Sequence, residues 1–128
     1  MLTQDQVWHD SQDINYRSPV GAAEAGSKVR MSLRLRTKEG IRQVILRCWQ
    51  DQTGEYLIPL ETKDDPFQEE HLYSGWLPLP EKGGLVWYYF IISMEDGTWY
   101  YGNNPEQLGS MGTLYDHVPP SFQITVFN

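Results

Sequence analysis

Between residues 27 and 37 apolar and polar positions alternate without a break: Val29, Met31, Leu33 and Leu35 fall on one side, and Lys28, Arg30, Ser32, Arg34 and Arg36 on the other. A period of two with one oily and one wet face predicts a half-buried strand. Lys38-Glu39-Gly40 turns the chain, after which Val44, Leu46 and Cys48 alternate with Ile45, Arg47 and Trp49. Asp51-Gln52-Thr53-Gly54 makes the next turn, its glycine suited to the positive φ that closes a hairpin, and Pro59 marks the strand over 55–60 as a sheet edge. Residues 61–70 are polar, rich in acids and broken by Pro66, so they read as a solvated loop. Strands follow over 72–79, 85–92, 98–101 and 122–127. Residues 102–121 lose all periodicity yet hold Leu108, Met111, Leu114, Tyr115 and Val118, which predicts a packed loop rather than a linker. With no helical period and no repeat, six or seven short strands at near-regular spacing predict an all-β antiparallel sandwich. The expected organisation is a single domain over 21–128, preceded by an N-terminal extension over 1–20.

One strand breaks the rule. Leu85-Val86-Trp87-Tyr88-Tyr89-Phe90-Ile91-Ile92 is apolar on both of its alternating sides. An antiparallel sheet normally leaves one face to water, so a two-sided apolar strand predicts a second layer, a neighbouring domain or a ligand that stacks on rings. Paired with 72–79 as a hairpin about Lys82, this strand sets Leu77 opposite Trp87 and Trp76 opposite Tyr88, and a one-residue bulge swaps the faces. Which face is core stays open at this stage. Either way rings remain on the outer side, and burying each contributes about 1.5–3 kcal/mol, so something is expected to cover them.

At 128 residues the chain can build its own core without staples. The single cysteine, Cys48, lies in an apolar run and reads as a small buried hydrophobe. A net charge of −7 with ten scattered basic residues argues against nucleic acid as a partner, which needs clustered positive charge. The first ten residues lack a signal-peptide pattern and no stretch approaches ~20 apolar residues, so no membrane partner is expected. The reading is a cytoplasmic protein, with secretion left open.

Catalytic chemistry is missing from the pattern. His9, His71 and His117 have no metal-ligand spacing, so no metal is expected. Ser18 and Ser74 lack a nucleophile-elbow setting. Asp64-Asp65 and Glu69-Glu70 imitate paired carboxylates but sit on a polar loop without a cleft to hold them ~5–10 Å apart. No cofactor is called for, and the chain alone is not expected to be an enzyme. The candidate binding groups are the rings Trp49, Trp76, Trp87, Trp99, Tyr101 and Tyr115, because Trp and Tyr join apolar area to a polar edge and stack on pyranose faces. Core packing is the competing role for each. Asn103 and Asn104 complete the set: in Tyr101-Gly102-Asn103-Asn104-Pro105 their amide oxygens invite a cation-binding reading, against ordinary turn chemistry.

Four segments in order carry a family resemblance: Tyr16-Arg17-Ser18-Pro19-Val20-Gly21-Ala22, the strand Lys28 to Thr37, the patch Tyr100-Tyr101-Gly102-Asn103-Asn104-Pro105, and the ending from Tyr115-Asp116-His117-Val118-Pro119-Pro120 through Phe127. Together they resemble the N-terminal immunoglobulin-like domain of amylopullulanase and neopullulanase-type α-glucan hydrolases, members of glycoside hydrolase family 13. The acidic loop 61–70 is longer and more charged than the group's pattern. The resemblance implies an immunoglobulin-like sandwich of the E-set type with about seven strands, non-catalytic, placed before a (β/α)8 barrel that holds the catalytic acids. Its implied partners are that catalytic barrel or a partner subunit, with contact to an α-glucan oligosaccharide in some members. The rival expectations are an independent carbohydrate-binding module and a homodimer or partner-binding sandwich unrelated to sugar.

Overall fold

A computed structural model describes all of residues 1–128. Two β-sheets stack with their apolar faces together. The strands are β1 (Val7–Trp8), β2 (Arg17–Ser18), β3 (Ala23–Glu24), β4 (Lys28–Arg36), β5 (Ile41–Gln50), β6 (Gly54–Leu60), β7 (Glu70–Pro78), β8 (Gly84–Met94), β9 (Gly97–Gly102), β10 (Thr113–Tyr115) and β11 (Phe122–Phe127). In the smaller sheet β4 is central, with β7 along one edge and the two-residue strands β1 and β2 along the other. The larger sheet runs β6–β5–β8, and the far edge of β8 is shared end to end by β11 and β9, which carry β3 and β10 in turn.

The alternation along β4 does what its pattern predicts. Val29, Met31, Leu33 and Leu35 point inward and are fully buried. They meet Val44, Leu46, Cys48, Val86, Tyr88, Phe90, Ile92, Phe122 and Ile124 of the larger sheet in one cluster of 22 buried residues. β6 sits at the sheet edge, where Pro59 withholds no ladder bond that an inner strand would need.

Two expectations change. Residues 72–79 and 85–92 do not form a hairpin. β7 instead pairs with β4 over nine residues, from Lys28 opposite Pro78 to Arg36 opposite Glu70, while β8 crosses to the other sheet. The connection from Leu79 to Gly83 is long enough to span the layers, and each strand finds a longer ladder with another partner than the two would share. Trp76 and Trp87 therefore lie on opposite outer surfaces of the sandwich. Residues 1–20, expected as an extension, are woven into the smaller sheet: β1 and β2 pair with β4, and Leu2, Val7, His9, Tyr16 and Arg17 are buried. The loop over 102–121 contains β10, too short to show a period.

Candidate functional site

Strand β8 has an inner set, Val86, Tyr88, Phe90, Ile92 and Met94, all buried. Its outer set is Leu85, Trp87, Tyr89 and Ile91, and the register extends that set across the larger sheet in three rows. Trp49 lies opposite Trp87, with Glu55 and Gln123 at the ends of the row. Leu57, Arg47 and Tyr89 form the next. The third runs Pro59, Ile45, Ile91, Tyr100 and Tyr115. Cross-strand neighbours stand about 4.5–5.5 Å apart at Cβ, so these rows make one continuous apolar face.

Arg47 is the polar element at its centre. Its guanidinium carbon lies 5.1 Å from the Tyr89 ring and 5.7 Å from the Trp49 ring, while Nε donates to Glu55 Oε2 at 2.8 Å. The charged head thus rides on two rings and leaves its stem over apolar surface. Tyr89 is largely covered, and burial pushes its phenol up while the Arg47 charge pulls it down. Trp49 remains 39% exposed, and Leu57 and Leu85 are exposed on the same face.

The other expected site residues separate from this face. Trp76 projects from the outer face of the smaller sheet, 47% exposed, with Lys28 Nζ 4.4 Å and the Arg30 guanidinium 5.2 Å from its ring centre. It borders a groove of about 490 Å³ whose walls include Arg30, Glu61, Asp64 and Ser74. Trp99 and Tyr101 face inward, opposite Ile92 and Phe90. Tyr101 is wholly buried, its phenol pushed up to about 12 by burial, so it offers no ring to a ligand. Trp99 packs against the core cluster with its indole N–H buried. Their strand alternates, and the same register that turns Tyr100 outward turns both of these in.

Asn103 and Asn104 brace a loop. Asn103 Oδ1 accepts from the backbone N–H of Asn104 (2.9 Å) and of Gly109 (3.0 Å), and its Nδ2 donates to Ser121 O (3.2 Å). Asn104 Oδ1 accepts from Leu108 N (2.9 Å) and its Nδ2 donates to Gly109 O (2.7 Å). Tyr115 closes the knot by donating its hydroxyl to Asn103 O at 2.7 Å. Amide oxygens already filled by backbone donors are turn chemistry, and the cation-binding reading falls with them. His9, His71 and His117 lie in the core, on the smaller sheet and in the last loop, and no three His, Cys, Asp or Glu side chains converge. Tyr89, Tyr100, Ile45 and Leu57 belong to the outer face but were not singled out by sequence. Knowing that β8 lies between β5 and β9 would have found them, because opposite pairs then follow by counting.

No family model matches the chain. Among curated proteins it is 28% identical over 126 residues to the amylopullulanase of Thermoanaerobacterium saccharolyticum, 27% over 129 residues to that of Thermoanaerobacter thermohydrosulfuricus, and 28% over 130 residues to that of Thermoanaerobacterium thermosulfurigenes. Each match takes in 97% of this chain but only 10%, 8% and 7% of the relative, so the chain spans a tenth or less of these proteins. A solved cyclomaltodextrinase superposes with a TM-score of 0.64 at 13% identity, over 97% of this chain and 20% of that one, which speaks for the fold alone. The chain is an immunoglobulin-like β-sandwich whose sequence is similar, over nearly its whole length, to one segment of the amylopullulanases.

Proposed function

We propose that this sandwich is a non-catalytic, N-terminal accessory domain of an α-glucan hydrolase of the starch or pullulan type, and that it seats the outer face of its larger sheet on the catalytic barrel of that parent. The observation that carries the reading is the three-row face centred on Trp49, Trp87, Tyr89, Ile45 and Ile91, on which Trp49 is exposed, Trp87, Ile45 and Ile91 are half-buried and Tyr89 is buried among its neighbours. Continuous apolar faces of this kind mark interaction surfaces, and the one charge at its middle, Arg47, is paired with Glu55 and laid over the Tyr89 and Trp49 rings, an arginine of the kind enriched in protein interfaces. Relatives ten or more times longer than the matched segment supply polypeptide to cover it. Producing the chain and the remainder of its parent separately tests this. The expected result is a 1:1 complex, with no hydrolysis of pullulan or maltodextrin by the sandwich alone. Turnover by the purified sandwich, or no association, overturns it.

A second reading has one observation of its own. Trp76 is an exposed indole beside a groove walled by Arg30, Glu61, Asp64 and Ser74, the pairing of flat ring and hydrogen-bonding edge that suits a sugar. Titration with maltoheptaose, followed by tryptophan fluorescence, is expected to give a saturable change lost in Trp76→Ala. No response at millimolar sugar overturns it.

A further inference from the structure

At the open edge between the two sheets lies a cation without an anion. Arg17 of β2 is 5% exposed, and no carboxylate comes within 4.0 Å of it. Its guanidinium ties the layers together. Nη1 donates to Gln123 O of β11 at 3.0 Å and Nη2 to Gly21 O at 2.9 Å, while the Nε–H is buried with no acceptor. Two neutral carbonyls satisfy donors and the Tyr88 ring lies 5.9 Å from the guanidinium carbon, but no anion balances the charge, the arrangement that buried charges ordinarily avoid.

Beside Arg17 is a groove of about 480 Å³, lined also by Ser11, Gln12, Asn103, Gln107 and Thr125. None of its lining residues is acidic, in a chain with 17 acids against ten bases. One buried guanidinium with an unpartnered Nε–H, amides and hydroxyls around it, and no acid together select a singly charged oxyanion, because a carboxylate oxygen accepts from the guanidinium and balances its single charge. A phosphate brings more charge than one guanidinium offsets, against a net charge of −7. A neutral sugar leaves the cation as it is.

We infer that this edge groove is a carboxylate-binding site built on Arg17. It borders the outer face of the larger sheet only at β11, through Gln123 and Thr125, and the inference does not rest on that face docking. The carboxylate is either a small free acid or a Glu or Asp side chain from another protein segment.

The test uses the intact 128-residue chain labelled with 15N, following the Arg17 Nε–H signal at constant ionic strength. Sodium acetate is expected to move it saturably in the millimolar range, while sodium chloride and acetamide leave it in place. No movement with acetate, or equal movement with acetamide, overturns the inference. A blocked Gly-Glu-Gly peptide that binds more tightly than acetate, with its Gly-Gln-Gly counterpart inert, assigns the site to a protein side chain; tighter binding by acetate assigns it to a free acid. Acetate should also raise the urea midpoint of the wild-type chain, since it binds the folded state alone. That gain is expected to vanish in Arg17→Met, and its persistence there overturns the inference. Should this variant not fold, the wild-type signal decides.

Discussion

His9 has no exposure to solvent and stands among the rings of Tyr16, Tyr88, Phe90 and Phe122. Its Nδ1 is 2.8 Å from the carbonyl of Ser32 and its Nε2 is 3.0 Å from the Tyr88 hydroxyl. A carbonyl only accepts, so Nδ1 carries the hydrogen and the bare Nε2 accepts from Tyr88. This fixes one neutral tautomer, and burial holds the ring neutral by pushing its pKa down to about 4, with the Arg17 charge adding to the push and the Ser32 bond opposing it. As pH falls, the unfolded chain takes up a proton near the ordinary value of 6.5 while the folded chain resists until about 4. Stability from His9 is therefore whole above 6.5 and drains away between 6.5 and 4, by about 3 kcal/mol. Urea midpoints at pH 7, 5.5 and 4.5 should show this slope, and His9→Gln, less stable at pH 7, should flatten it. An unchanged slope in the variant contradicts the assignment. None of this was legible in the sequence, because β1 is two residues long and a histidine beside it has no period to place it.

Among elements, legibility followed how each strand is covered. β4 and β11 were readable because one side is buried and the other wet, so the chemistry alternates with the pleat. β8 hid its orientation for the opposite reason: both of its sides are apolar, and only its neighbours β5, β9 and β11 decide that Tyr88 faces the core and Trp87 the outside. The faces of Trp99 and Tyr101 were lost with it, since they follow from the β8–β9 register. The loop after β9 was recognised as packed, and Gly102 shows how tightly. A Cβ there would come 2.5 Å from Pro120 O and 2.6 Å from Pro119 Cβ. Backbone cannot move aside as a side chain does, so Gly102→Ala should cost about 1–3 kcal/mol in urea denaturation. A midpoint equal to that of the wild type would mean that the Pro119-Pro120 segment yields.

For the whole molecule, the first twenty residues and the outer face of the larger sheet have opposite characters. The former complete the core: Val7 pairs with Leu35 and Arg17 with Met31, both partners fully buried. A chain begun at residue 21 should lose its cooperative thermal transition, and retention of the wild-type melting temperature would contradict that placement. The outer face is dispensable for folding by the same reasoning, because Trp49 and Trp87 project away from the core. Its sequence sign was the excess of rings in β8, and its extent could not be seen before the pairing of β5, β8 and β9 was known. The decisive measurement for the proposed docking is the affinity between the sandwich and the separately produced remainder of the proposed parent hydrolase, by calorimetry, for the wild type and for the double variant Trp49→Ser/Trp87→Ser. Loss of two central rings should raise Kd by at least about tenfold with the fold intact, while Phe67→Ser, on the exposed loop that joins β6 to β7, should leave it unchanged. An affinity equal in wild type and double variant would show that this face is not what holds the domain in place.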